Sequence, residues 1–130
     1  MKHLVVLLAL LVCFAGFAGA QNLTVEEIEK HLESPGKTFF LDVRSADEIK
    51  KNGSVPGYVN IPLDQLEKRM SEVPKDKTIV TMCERGKRAA SASDMLRKAG
   101  YTVAGSCGLQ EYREKGKKLV YPDGVDTKKG

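Results

Sequence analysis

Residues 78 to 100 read TIVTMCERGKRAASASDMLRKAG. The β-branched run Thr78-Ile79-Val80-Thr81 suits a central strand. Downstream, Ala89, Ala92, Met95, Leu96 and Ala99 recur at helical spacing, and Gly100 supplies a stop. Between strand and helix lies Cys83-Glu84-Arg85-Gly86-Lys87-Arg88, a thiol set among cations. A strand that feeds a helix through so short a loop is the unit from which parallel α/β sheets are assembled.

The flanking sequence repeats this alternation. TFFLDV, from Thr38 to Val43, is too short and too apolar for an exposed helix and reads as a buried strand. Thr24 with Glu27 and Ser45 with Glu48 have capping-box spacing, which starts helices running to about Leu32 and to Asn52-Gly53. GYVNIP (57–62) is a further strand, and Asp64 with Glu67 caps a third short helix through about Met70. YTVA (101–104) is the next strand, followed by a last helix from Leu109 to Arg113. The expected fold class is α/β: an open, mostly parallel sheet with helices on both faces. In such sheets ligands bind beyond the carboxyl ends of the strands, where Cys83 falls.

The chain has 130 residues, 42% hydrophobic and 29% charged, the composition of one globular domain. Residues 1–20 stand apart: Lys2 and His3, an apolar run from Leu4 to Phe17, then Ala18-Gly19-Ala20, which reads as a cleavable signal peptide. The domain is then 21–130, with a core from about 22 to 122 and a short basic C-terminal tail. Export, to a periplasmic space, is the expected localisation, without stable membrane insertion after cleavage; retention of the apolar run as an anchor is the rival reading. In an oxidising compartment Cys83 and Cys107 are also candidates for a structural disulfide. The net charge is +4, from 21 basic and 17 acidic residues, with cations clustered at Lys115, Lys117, Lys118, Lys128 and Lys129. With no aromatic residues interleaved, these clusters argue for solvated surface, not a nucleic-acid partner.

A loop between a strand and a helix directs backbone N–H groups inward, and the helix adds its positive end. Arg85, Lys87 and Arg88 strengthen a field that favours the anion of Cys83; Glu84 opposes it unless it points to solvent or pairs with a cation. His31 is the one histidine outside residues 1–20 and lies in the first helix, which disfavours a Cys-His hydrolase. Cys83 and Cys107 are isolated and lack paired-ligand spacing, so no metal and no cofactor is expected. The chemistry that fits needs no proton shuttle: attack by a thiolate on the outer sulfur of an anion such as thiosulfate, whose leaving group departs already charged.

The ordered set Asp42-Val43-Arg44, Glu48, Gly53-x-x-Pro56-Gly57, Asn60-Ile61-Pro62 and the cysteine loop resembles the single-domain rhodaneses, sulfurtransferases of the exported type, across nearly the whole mature chain. The resemblance implies a five-stranded sheet, with Cys83 as the catalytic residue that takes a sulfur as a persulfide and passes it to cyanide or a thiol. It implies that Glu84, Arg85, Gly86, Lys87 and Arg88 bind the substrate, the backbone holding the persulfide and the cations guiding the anionic donor. Asp42 and Arg44 are structural near the site, and Arg44 is expected to pair with Glu48 four residues on. Arg88 is the fifth residue after Cys83, a shorter cradle than in related phosphatases and arsenate reductases.

The Gly53-Ser54-Val55-Pro56 turn lacks the histidine that the family often carries there, and two positions near the end also depart from the family pattern. Cys107 stands where a Gly-Gly turn usually begins, and Tyr112 stands near a usual tryptophan. Cys107 is therefore a possible second redox cysteine, resolving the persulfide or forming a thiol-disulfide pair with Cys83. The plain alternative is a small buried residue filling a turn. A further alternative is a binding module that keeps the fold without the chemistry.

Overall fold

A computed structural model describes residues 21–122. The signal-peptide expectation for residues 1–20 and the end of the basic tail lie outside the described residues. The elements in chain order are α1 (Val25–Leu32), β1 (Thr38–Asp42), α2 (Ala46–Asn52), β2 (Val59–Asn60), α3 (Leu63–Arg69), a 3-10 turn (Met70–Glu72), β3 (Thr78–Cys83), α4 (Lys87–Lys98), β4 (Val103–Gly108) and α5 (Leu109–Glu114).

The four strands form one parallel sheet in the order β2-β1-β3-β4. Four of the five strands implied by the resemblance are found among the described residues, and Asn22 adds a bridge to Ser106 along β4. There Leu23 N–H donates to Ser106 O at 2.7 Å and Ser106 N–H to Gln21 O at 2.8 Å. The segment runs so close to β4 that a Cβ on Gly105 would lie 2.4 Å from Gln21 O.

Alternation along the strands divides the core into two layers. Phe40, Val80, Met82 and Cys107 point to one face, where Val25 and Ile28 of α1 and Leu109 and Tyr112 of α5 cover them. Leu41, Ile79 and Cys83 point to the other, against Leu66 of α3 and Ala89, Ala92 and Leu96 of α4. The small α4 residues let that helix lie close to β3, and two buried hydroxyls fasten it. Thr81 Oγ1 donates to Ala89 O at 2.8 Å and lies 2.7 Å from Ser93 Oγ.

Thr24 and Ser45 both cap their helices, Thr24 Oγ1 accepting from Glu27 N–H and Ser45 Oγ from Glu48 N–H, each at 3.2 Å. The third expected cap, Asp64, is not made: α3 starts at Leu63 behind Pro62, and Asp64 lies inside its first turn. Pro62 is itself the N-cap residue and has no side-chain oxygen with which to cap the helix. β4 is the largest revision. It runs on to Gly108, so Cys107 is a strand residue and not part of a turn.

The strand order places the chemistry. The connection leaving β1 turns toward β2 and the one leaving β3 turns toward β4, which opens a crevice between the carboxyl ends of β1 and β3. Asp42 and Cys83 are the last residues of those two strands.

Candidate active site

Cys83 ends β3 with its side chain on the α4 face and is 1% exposed. Its thiol forms the floor of a pocket of about 400 Å³ lined by Glu48, Glu84, Arg85, Lys87 and Arg88. Residues 84–86 curl over the sulfur because Gly86 adopts φ +95, in the left-handed region open to glycine.

Helix α4 begins behind Gly86 with no side-chain cap of its own. The sulfur of Cys83 fills that role, accepting from Gly86 N–H at 3.0 Å and from Ala89 N–H at 3.3 Å. These bonds and the positive end of α4 stabilise negative charge on the sulfur. The N–H groups of Lys87 and Arg88, in the first turn, have no acceptor within the helix and point toward the pocket end. Sequence reasoning included Gly86 among the backbone donors and missed Ala89, whose N–H reaches the sulfur only because the strand-to-helix turn is so tight.

The cations are not equivalent. Arg88 Nη1 donates to Glu48 Oε2 at 2.9 Å, both side chains about two-fifths exposed. The expected pair between Arg44 and Glu48 is therefore not formed. Among the described residues Arg85 and Lys87 have no ion-pair partner, which leaves them free to meet an anion.

Arg44 is turned inward and fully buried. Its Nη2 lies 2.7 Å from Asp42 Oδ2 and 2.8 Å from Gly53 O, its Nε 3.0 Å from Asp42 Oδ1, and its Nη1 3.0 Å from Glu84 Oε2. Ser54 Oγ adds a 2.8 Å bond to Asp42 Oδ2. Burial opposes the charge on Arg44, but its bonds and proximity to Asp42 and Glu84 outweigh this and hold its pKa above the ordinary value.

Glu84, left open between solvent and a cation, is held by Arg44 and by Arg113 of α5. The Arg113 bond is the chief reason its carboxyl stays below the usual range. The Glu84 carbonyl also accepts from Gln110 N–H at 3.0 Å. Nothing in the spacing of the sequence pointed to Arg113, because the contact spans 29 residues and exists only once α5 packs beside the loop.

The loop rests directly on Gly108. A Cβ built there would lie 2.9 Å from Arg85 C and 3.0 Å from Glu84 O, both backbone atoms. Gly108→Ala is expected to push the loop off its seat and lower kcat by about ten-fold or more, since donors displaced by a fraction of an ångström lose their aim. Steady-state kinetics beside a thermal melt checks this: activity falls while cooperative unfolding persists.

A profile for the Rhodanese-like domain matches residues 24–115. The chain belongs to the rhodanese-like domain family. This rhodanese domain is 35% identical over 101 residues to a human thiosulfate:glutathione sulfurtransferase, covering 67% of the chain and 86% of that protein. It is 29% identical to a sulfurtransferase of Allochromatium vinosum, covering 76% and 94% respectively. Among solved structures, a rhodanese-related protein from Thermoplasma volcanium superposes with a TM-score of 0.68 at 25% identity, covering 78% of this chain and 96% of that one. Sulfur transfer is the kind of activity these relatives support.

The rhodanese domain does not bring its two cysteines together. In the sheet register Cys107 lies opposite Met82, and Cys83 opposite Gly108. Cys107 therefore faces the α1/α5 layer and Cys83 the α3/α4 layer. A disulfide between side chains that point apart requires the backbone to move. Burial, helped by the charge of Asp42, pushes the Cys107 thiol up to about 12, which keeps it protonated and poorly nucleophilic. The geometry favours the small buried residue over the resolving thiol. Tyr112, near the family's tryptophan position, is buried in the same layer.

Proposed function

We propose that this rhodanese domain moves a sulfane sulfur from thiosulfate, or a related anionic donor, through a persulfide on Cys83 to a thiophilic acceptor such as cyanide or a small thiol. The observation that carries the proposal is the seat of the sulfur: two backbone N–H donors and a helix N-terminus below, Arg85 and Lys87 at the rim. In the first step the Cys83 thiolate attacks the outer sulfur of thiosulfate. A Cys83–sulfur bond forms, the donor's S–S bond breaks, and its electron pair leaves with sulfite. The persulfide is itself an anion, and the unspent N–H groups of the first α4 turn are in place to receive it. In the second step the acceptor attacks that outer sulfur, and Cys83 departs as thiolate. No proton need be stored by the protein in either step when the acceptor arrives as an anion.

A thiol acceptor draws support from the relative named for thiosulfate and glutathione. Export to the periplasm rests on the three-part pattern of residues 1–20. One experiment addresses export and the persulfide together: intact mass of the protein recovered from the exporting cell, before and after thiosulfate and then reductant. The expected spectrum shows a chain beginning near Gln21 that gains one sulfur, about 32 Da, reversed by reductant, as an activated thiolate predicts. No gain with several sulfur donors would leave a binding module that shares the fold.

A further inference from the structure

We infer that Arg113 is a positioning residue for sulfur transfer, cancelling the charge of Glu84 so that the Cys83 pocket stays attractive to anions. This rests on the sulfur-transfer reading above.

Glu84 follows the nucleophile directly and lines the same pocket. Every species proposed to occupy that pocket is anionic: the thiolate, the donor and the persulfide. An unopposed carboxylate there would repel each of them. Arg44 alone cannot neutralise it, because its Nε and Nη2 are spent on Asp42 and only Nη1 reaches Glu84. Asp42, Glu84 and Arg44 together carry two negative charges and one positive. Ser54 bonds to Asp42 but brings no charge. Arg113 is the second cation, and with it the cluster is neutral. Its side chain is 33% exposed and that of Glu84 is 22% exposed, so solvent and salt screen the pair only in part.

The assignment also accounts for the position of α5. The helix starts at the glycine on which the loop rests, and Gln110 N–H binds the Glu84 carbonyl. The same helix therefore fixes the backbone of Glu84 and neutralises its side chain.

The test measures the field directly as well as the turnover. Alkylation of Cys83 by anionic iodoacetate is compared with alkylation by neutral iodoacetamide, alongside kcat/KM for thiosulfate. Arg113→Gln, which keeps a hydrogen-bond donor but not the charge, is made together with Arg113→Met, so that a folding failure in one leaves the other to read. Arg113→Lys is the conservative control.

Loss of the charge is expected to lower both the iodoacetate-to-iodoacetamide ratio and kcat/KM by about ten-fold, the scale of one partly screened charge nearby. The lysine variant stays within about two-fold of the parent. Adding Glu84→Gln to either neutral variant restores most of both losses, because the charge needing cancellation is gone. An unchanged alkylation ratio, or a deeper loss on adding Glu84→Gln, would overturn the inference and mark Arg113 as a structural contact. A parent protein that alkylates normally but never takes sulfur would instead sink the sulfur-transfer reading, with the alkylation ratio still deciding the role of Arg113.

Discussion

On the proposed sulfur transfer, the Cys83→Ser protein is expected to take up no sulfur from thiosulfate and to turn over at least about 10³-fold more slowly than the parent, because a hydroxyl in the same seat is neither ionised nor a sulfur nucleophile. The stability cost is expected to be small. The thiol is buried, not held on an exposed loop. What spares the fold is that the serine oxygen inherits the two N–H donors of Gly86 and Ala89, so no buried group loses its partner. The loss should stay near 1 kcal/mol, a shift of about 5 °C in Tm for a domain of this size. Intact mass after thiosulfate and a thermal melt on the same sample read both numbers. Residual sulfur on the serine variant would move the persulfide to another thiol, and the carrier role of Cys83 would fall with it.

Arg44→Leu is expected to have the largest effect on stability. The guanidinium is fully buried and joins Asp42, Glu84 and the Gly53 carbonyl. Removing it leaves the Asp42 carboxylate buried with one serine hydroxyl and the Arg44 backbone N–H as its remaining hydrogen-bond donors. Breaking a buried pair from one side typically costs about 3–5 kcal/mol. For a domain with a total of about 5–15 kcal/mol, this brings the protein close to unfolding at 37 °C. Chemical denaturation of Arg44→Leu beside Arg44→Leu/Asp42→Asn separates the causes, since neutralising the stranded carboxylate should recover part of the loss. If the single variant loses less than about 1 kcal/mol, the cluster is not the structural anchor described above.

Local pattern decided much of this protein. The β-branched runs, the capping residues at Thr24 and Ser45 and the glycine stop at Gly100 act within a few residues of themselves, so the strands, most helix starts and the α/β class were legible without a structure. So was the cysteine loop, because its thiol, its cations and the glycine that turns it are contiguous in the chain.

What spacing could not supply were partners separated by tens of residues, since pairing between charged side chains depends on which elements become neighbours. Arg44 was read against Glu48, four residues on, and instead reaches Glu84, 40 residues away. Glu48 in turn meets Arg88, and Glu84 meets Arg113. Cys107 shows the same division. Its nearness to Cys83 follows from β3 and β4 pairing, but only the register sends the two thiols to opposite faces. The sequence by itself determined most of the elements and the place of the cysteine loop; the packing of β4 and α5 beside that loop decided which charges surround the Cys83 sulfur, because electrostatic partners are set by distance in space.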